Sequence, residues 1–177
     1  IPLSVYWGKA AHLEMLQAKY RMEVLWGLDI FDRKVLLWGH GGSFAPGLAG
    51  RLARLCQPWQ DRLRNRRRLS AYRLGTKDLE GYLGRMAKFR PTSLYGYSTA
   101  VYLLAKQAAA MGFQCDTLKL AILSGEPAYP QLVETIQQAL DVPAVIEYGS
   151  VECGFIAGQG LDGRLRVRED MTLVETL

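Results

Sequence analysis

Between residues 93 and 148 short apolar runs alternate with helix-patterned segments, and this alternation constrains the fold more than any other feature. Residues 93–97, 118–123 and 144–148 read as buried strands. Ser98 reads as the cap of a helix running to about Met111, and residues 130–140 as a second helix. Strands joined through helices pair in parallel, with right-handed crossovers. The expected class is therefore α/β, with a parallel-sheet layered core. At 177 residues the chain is long enough for one sizeable core and too short for two ordinary domains.

The flanking text fits around that core. Residues 9–26 carry Ala11, Met15, Ala18, Met22 and Leu25 at helical spacing, with Gly27 as the stop. A turn over 29–33 leads into a short strand, Lys34 to Trp38. Gly39-His40-Gly41-Gly42-Ser43 is a glycine-rich loop, extended by Pro46-Gly47. Residues 48–56 and 58–66 read as two short helices broken at Pro58, since proline removes a helix hydrogen bond. Residues 69–74 read as a strand. Thr76, Leu79, Tyr82, Leu83, Met86 and Phe89 mark a capped amphipathic helix ended by Pro91. From Gly154 the pattern turns β-rich: strands over 155–157, 164–167 and 173–176, with Asp162-Gly163 as a hairpin turn.

Composition removes several function classes. No apolar run approaches the roughly 18 residues that a membrane helix needs. Cys56, Cys115 and Cys153 are an odd number with no zinc spacing, and read as reduced, mostly buried thiols. The net charge of +5 divides unevenly: 17 basic against 7 acidic residues over 1–90, and 5 against 10 over 91–177. Arg62, Arg64, Arg66, Arg67 and Arg68 form the basic peak. It reads as a solvated helix end, as a surface facing an acidic partner region, or as a contact for phosphates of a nucleic acid or anionic lipid, and no nucleic-acid-binding signature accompanies it.

In a parallel sheet, ligands sit beyond the carboxyl ends of the strands. Those ends are Gly96-Tyr97-Ser98, Ser124-Gly125-Glu126-Pro127 and Tyr148-Gly149-Ser150-Val151-Glu152. Glycine permits close backbone approach, and a Ser near a turn offers a hydroxyl and an N–H to an anion. Glu152 beside a phosphate requires a cation between them, and Mg²⁺ is the hard ion suited to that task. Tyr148 offers a flat face to a purine. The plainer alternatives stay open: Tyr148 as a strand-end core aromatic, Glu152 as an exposed turn acid. A further alternative is a hydrolase. Gly96-Tyr97-Ser98-Thr99-Ala100 resembles a nucleophile elbow, and His40-Gly41-Gly42 an oxyanion loop. No His follows residue 40, so that reading places the partner histidine beyond Leu177.

Taken together, Tyr148-Gly149-Ser150-Val151-Glu152 resembles the Tyr-Gly-x-Thr-Glu motif of adenylate-forming enzymes. Leu120-Ala121-Ile122-Leu123-Ser124-Gly125-Glu126-Pro127 looks like their strand and Gly-Glu loop. Lys88-Phe89-Arg90-Pro91-Thr92-Ser93-Leu94-Tyr95-Gly96-Tyr97-Ser98 is similar to the phenylacetate–CoA ligase branch, which includes CapK-like proteins. The resemblance covers nearly the whole chain. It implies ATP-dependent activation of an aryl or acyl carboxylic acid to an acyl-adenylate, then transfer to coenzyme A or another thiol. It further implies that Tyr148 packs on the adenine, with Gly125, Glu126, Pro127, Gly149, Ser150 and Val151 around the nucleotide. Glu152 would be catalytic and hold Mg²⁺, while Tyr97 and Ser124 would border the acyl pocket. ATP or AMP and coenzyme A place the reaction in the cytoplasm. A homodimer is left open.

Three departures qualify the resemblance. Val151 stands where the family has a Thr that touches phosphate, a loss of about 1.5–3 kcal/mol unless Ser150 compensates. The family's phosphate loop would lie before Ile1, and its ribose-binding Asp and C-terminal lysine domain after Leu177. The expectation is thus an internal piece of a larger adenylation domain, inactive alone. The alternative that Val151 supports is a non-catalytic relative serving as a binding or scaffold domain.

Overall fold

The computed structural model describes residues 6, 8–39, 48–170 and 172–175. In chain order they form helix α1 (Lys9–Leu25), strand β1 (Lys34–Trp38), helix α2 (Leu48–Leu63), strand β2 (Arg66–Ser70) and helix α3 (Thr76–Phe89). Strand β3 (Ser93–Tyr97), helix α4 (Ser98–Ala110), strand β4 (Leu120–Ser124) and helix α5 (Pro130–Leu140) follow. Strands β5 (Ala144–Ser150), β6 (Gly154–Gln159) and β7 (Leu165–Val167) complete the order. The strands make a seven-stranded sheet in the order β2-β1-β3-β4-β5-β6-β7. β2, β1, β3, β4 and β5 pair in parallel, and β6 and β7 add antiparallel. The expected α/β class and the β-rich end are both present.

Side-chain alternation sets the layers. On β4, Ala121 and Leu123 face a cluster with Leu83 and Met86 of α3, Val101 and Leu104 of α4 and Ile136 of α5. Leu120 and Ile122 face the other way, packing with Ala18 and Met22 of α1, Val145 and Phe155. β4 is buried along its whole length, which is why its text is one apolar run with no polar alternation. Each fully buried Leu or Ile here stabilises by roughly 1.5–3 kcal/mol. Gly96 has a steric reason: a Cβ there would lie 2.7 Å from the Leu37 carbonyl oxygen.

Several local readings are corrected. α2 is one helix that contains Pro58. Asp61 near its end pairs with Arg66 and Arg68, at 2.8 Å for Arg68, which ties the helix to the strand it precedes. Those pairs also draw the strand forward, to Arg66–Ser70 in place of 69–74. Thr76 is not the cap of α3: Gly75 occupies that position and makes no side-chain bond. α3 ends when Arg90, one residue before Pro91, turns left-handed at φ 52°. Residues 173–175 are not in a strand, and Thr176 lies outside the described residues. The expected Gly-rich loop at 40–47 also lies outside them, apart from Gly39.

Candidate functional site

The parallel register places Tyr97 directly beside Ser124, so the ends of β3 and β4 form one ledge. Tyr97 stacks on Trp38 at the end of β1, with ring centroids 4.0 Å apart and planes 21° apart. Tyr95, two residues earlier on β3, also stacks on Trp38, at 5.3 Å. These three rings share a face because residues two apart on a strand point the same way. Gly125 sits against this stack. Its φ is +77°, and a Cβ would lie 2.9 Å from the Tyr97 ring and 3.1 Å from Trp38. Any side chain there would be strained and would displace the stack. Burial pushes the Tyr97 phenol above its ordinary value, and Tyr72 and Glu126 push the same way. Tyr97 is thus a neutral, partly buried wall.

The β4–α5 loop is fixed to the start of α4. The Glu126 carboxylate accepts the Thr99 backbone N–H at 2.9 Å. The Ser98 hydroxyl donates to the Glu126 carbonyl at 3.1 Å. Two expectations change as a result. Ser98 is the first helical residue and not the cap, which is Tyr97. It is also fully buried with its hydroxyl committed to a carbonyl, so it is not presented as a nucleophile. Gly125, Glu126 and Pro127 are exposed, and Ser124 is buried.

The third loop joins β5 to β6. A bulge falls between Tyr148 and Gly149, and a Cβ on Gly149 would lie 2.3 Å from the Gly154 carbonyl oxygen. Glycine is therefore required there by the fold itself. Tyr148 is 59% exposed and is not a core aromatic. The Ser150 hydroxyl oxygen accepts the Cys153 N–H at 3.0 Å, which shapes the turn and leaves its proton free to donate. Val151 and Glu152 are exposed on that turn. Among the described residues no group of three or more His, Cys, Asp or Glu could hold a metal. A single exposed carboxylate such as Glu152 does fit Mg²⁺, which is held by one or two carboxylates together with substrate phosphates.

One polar cluster had no reading in the sequence. Glu147, 7% exposed and immediately before Tyr148, pairs with Lys19 of α1 at 2.9 Å. It also accepts the Tyr95 hydroxyl at 2.8 Å. Lys19 lies 3.8 Å over the Tyr95 ring. Burial alone would lower the Lys19 pKa, but Glu147 and Tyr95 outweigh it and leave it raised. Burial likewise raises the Tyr95 phenol. The available signal was the polar Glu147 at an otherwise apolar strand position, matched by a lysine on the first helix.

The remaining sequence candidates separate. Arg66 and Arg68 pair with Asp61, and Arg67 lies 5.5 Å over Phe89, so much of the basic cluster is used internally. The three cysteines are free thiols, but Cys56 and Cys153 are exposed, against the expectation of burial. A hollow of about 350 Å³ lined by Phe113, Cys115 and Asp141 lies near the amino ends of β4 and β5, away from the three loops.

The sheet and its crossover helices share their fold with part of several solved acyl-CoA ligases, the fold that the sequence resemblance implies. The chain is similar to 2-hydroxyisobutyryl-CoA ligase in complex with 2-HIB-AMP and CoA, with a TM-score of 0.62 and 17% identity over 86% of this chain and 33% of that one. It is similar to a long-chain-fatty-acid–CoA ligase from Archaeoglobus fulgidus, with a TM-score of 0.53 and 14% identity over 85% of this chain and 30% of that one. An amide bond synthetase from Marinactinospora thermotolerans gives 0.54, with 18% identity over 84% of this chain and 28% of that one. In sequence, 104 residues are 24% identical to Protein CapK of Staphylococcus aureus, covering 58% of this chain and 23% of that protein. No family model matches. The chain thus spans about a third of these ligases' length or less. Among the described residues no helix is long and apolar enough to cross a membrane.

Proposed function

We propose that the protein containing this chain activates a carboxylic acid as its adenylate and passes the acyl group to coenzyme A or another thiol. The observation that supports this most is the placement of three loops, at the ends of β3, β4 and β5, along one edge of a sheet shared with acyl-CoA ligases. Tyr148 presents an exposed ring for the adenine. Gly125, Glu126 and Pro127 line the nucleotide with backbone atoms, as do Gly149, Ser150 and Val151. Ser150 supplies the hydroxyl donor that Val151 lacks. Tyr97 and Ser124 border the acyl group, with Trp38 behind Tyr97. Catalysis here is positioning: the loops hold the carboxylate against the α-phosphate and exclude water. Glu152 would hold Mg²⁺, which supplies charge neutralisation at the phosphates. The same proposal makes the chain an internal part of an adenylation domain, cytoplasmic, inactive alone, with a phosphate loop before Ile1 and a lysine domain after Leu177.

The test is an AMP titration of the 177-residue chain followed by backbone amide NMR. Shifts confined to 124–126 and 148–152, with affinity about tenfold weaker in Tyr148→Ala, support the reading; stacking contributes about 1–3 kcal/mol. Shifts elsewhere, or none at millimolar AMP, contradict it.

A further inference from the structure

We infer that Glu126 is a positioning residue, whose carboxylate locks the nucleotide-lining loop to the residues that wall the acyl pocket. This rests on the nucleotide reading above and adds to it. The wild-type loop is held at two successive residues by three successive residues at the start of α4. Gly125 packs on the Tyr97 ring, the Glu126 carbonyl accepts the Ser98 hydroxyl, and the Glu126 carboxylate accepts the Thr99 N–H. α4 has no side-chain cap from its cap residue Tyr97, and the Thr99 N–H in its first turn is satisfied by this carboxylate from a distant loop. The contact spans 27 residues of sequence, from the first turn of α4 to the loop after β4. A helix N-terminus also favours a negative charge electrostatically.

The consequence is mechanical. Tyr97 is at once the cap residue of α4, a partner of Trp38 and the surface against which Gly125 lies. Moving the loop therefore moves the acyl wall, and the two proposed substrate surfaces form one unit. Only one oxygen of Glu126 is engaged by Thr99, and that oxygen acts as an acceptor. A glutamine can supply the same acceptor without charge, whereas an alanine cannot. This separates a positioning role from a charged contact to a metal, which glutamine would not rescue.

The experiment compares the chain with Glu126→Gln and Glu126→Ala. Hydrogen exchange is read at Thr99, Gly125 and Glu126, against β4 as an internal standard, and AMP affinity is read by amide shifts. The expected result is that Glu126→Ala speeds exchange at Thr99, Gly125 and residue 126 and weakens AMP by about fivefold, the size of a lost helix cap. Glu126→Gln should restore both to within about twofold, and β4 exchange should be unchanged. Exchange that is unaltered in Glu126→Ala overturns the inference. So does loosened exchange with AMP affinity unchanged, or a failure of Glu126→Gln to restore either quantity. Absence of AMP binding in the unsubstituted chain overturns the nucleotide reading itself, and the positioning role with it.

Discussion

At the scale of single residues, the glycines of the two candidate loops are explained by contacts before any ligand is considered. Gly149 faces the Gly154 carbonyl and Gly125 faces the Tyr97 ring. Gly149→Ala should destabilise by about 1–3 kcal/mol in urea unfolding, through overpacking against backbone. Gly81→Ala in α3, where a Cβ meets nothing within 4 Å, should stabilise by about 0.5–1 kcal/mol in the same assay. Equal effects at the two sites would contradict the packing described. The Glu147–Lys19 pair gives a second test. Lys19→Met leaves a buried carboxylate uncompensated, and should destabilise by roughly 3 kcal/mol. Lys19→Met combined with Glu147→Gln should recover part of that loss, which a double-mutant cycle measures. Neither Lys19 nor Glu147 stood out in the sequence. One lies on a helix and the other on a strand 128 residues away, and only the packing of α1 on the sheet brings them together.

At the scale of elements, the segments legible in the sequence were those where local pattern and tertiary burial agree. β3, α4, β4, α5 and the start of β5 follow the apolar pattern closely because they form the centre of the sheet. Toward the centre only the cap assignments of α3 and α4 changed, and the misread elements lie at the edge. A proline rule splits α2 at Pro58, yet the helix continues, anchored by Asp61 to β2. The arginine run looked like a helix end, because neither its ion pairs nor its place at the sheet edge is a local property. Pro58→Ala should therefore stabilise the chain by about 1–3 kcal/mol in denaturant, since the missing hydrogen bond is regained inside an existing helix. A loss of stability would mean that Pro58 ends the helix as the sequence suggested. The site was legible in the same uneven way. The three loops are visible as sequence motifs at strand ends. The Trp38–Tyr97 stack and the Glu126 bond to α4 require the register of β1, β3 and β4.

At the scale of the whole molecule, four groups predict the alkaline limit. Burial raises the phenols of Tyr82, Tyr95 and Tyr97, and Lys19 is raised by its partners against burial. Each binds its proton more tightly when folded than when unfolded. Their contributions are fully present below about pH 10 and are lost as pH rises through the folded values. Urea midpoints should thus hold steady below about pH 10 and fall above it, with a shallower fall in Tyr95→Phe. A midpoint that rises above pH 10 would contradict these burials. The central claim is tested most directly by carboxylate-dependent exchange of pyrophosphate into ATP, in the full protein that carries this chain. Across aryl and fatty acids, the account predicts exchange with one acid class, loss of exchange in Glu152→Gln, and no exchange by the isolated 177 residues. A folded full protein that exchanges with no acid would contradict it, and would leave Val151 as the mark of a fold kept for binding alone.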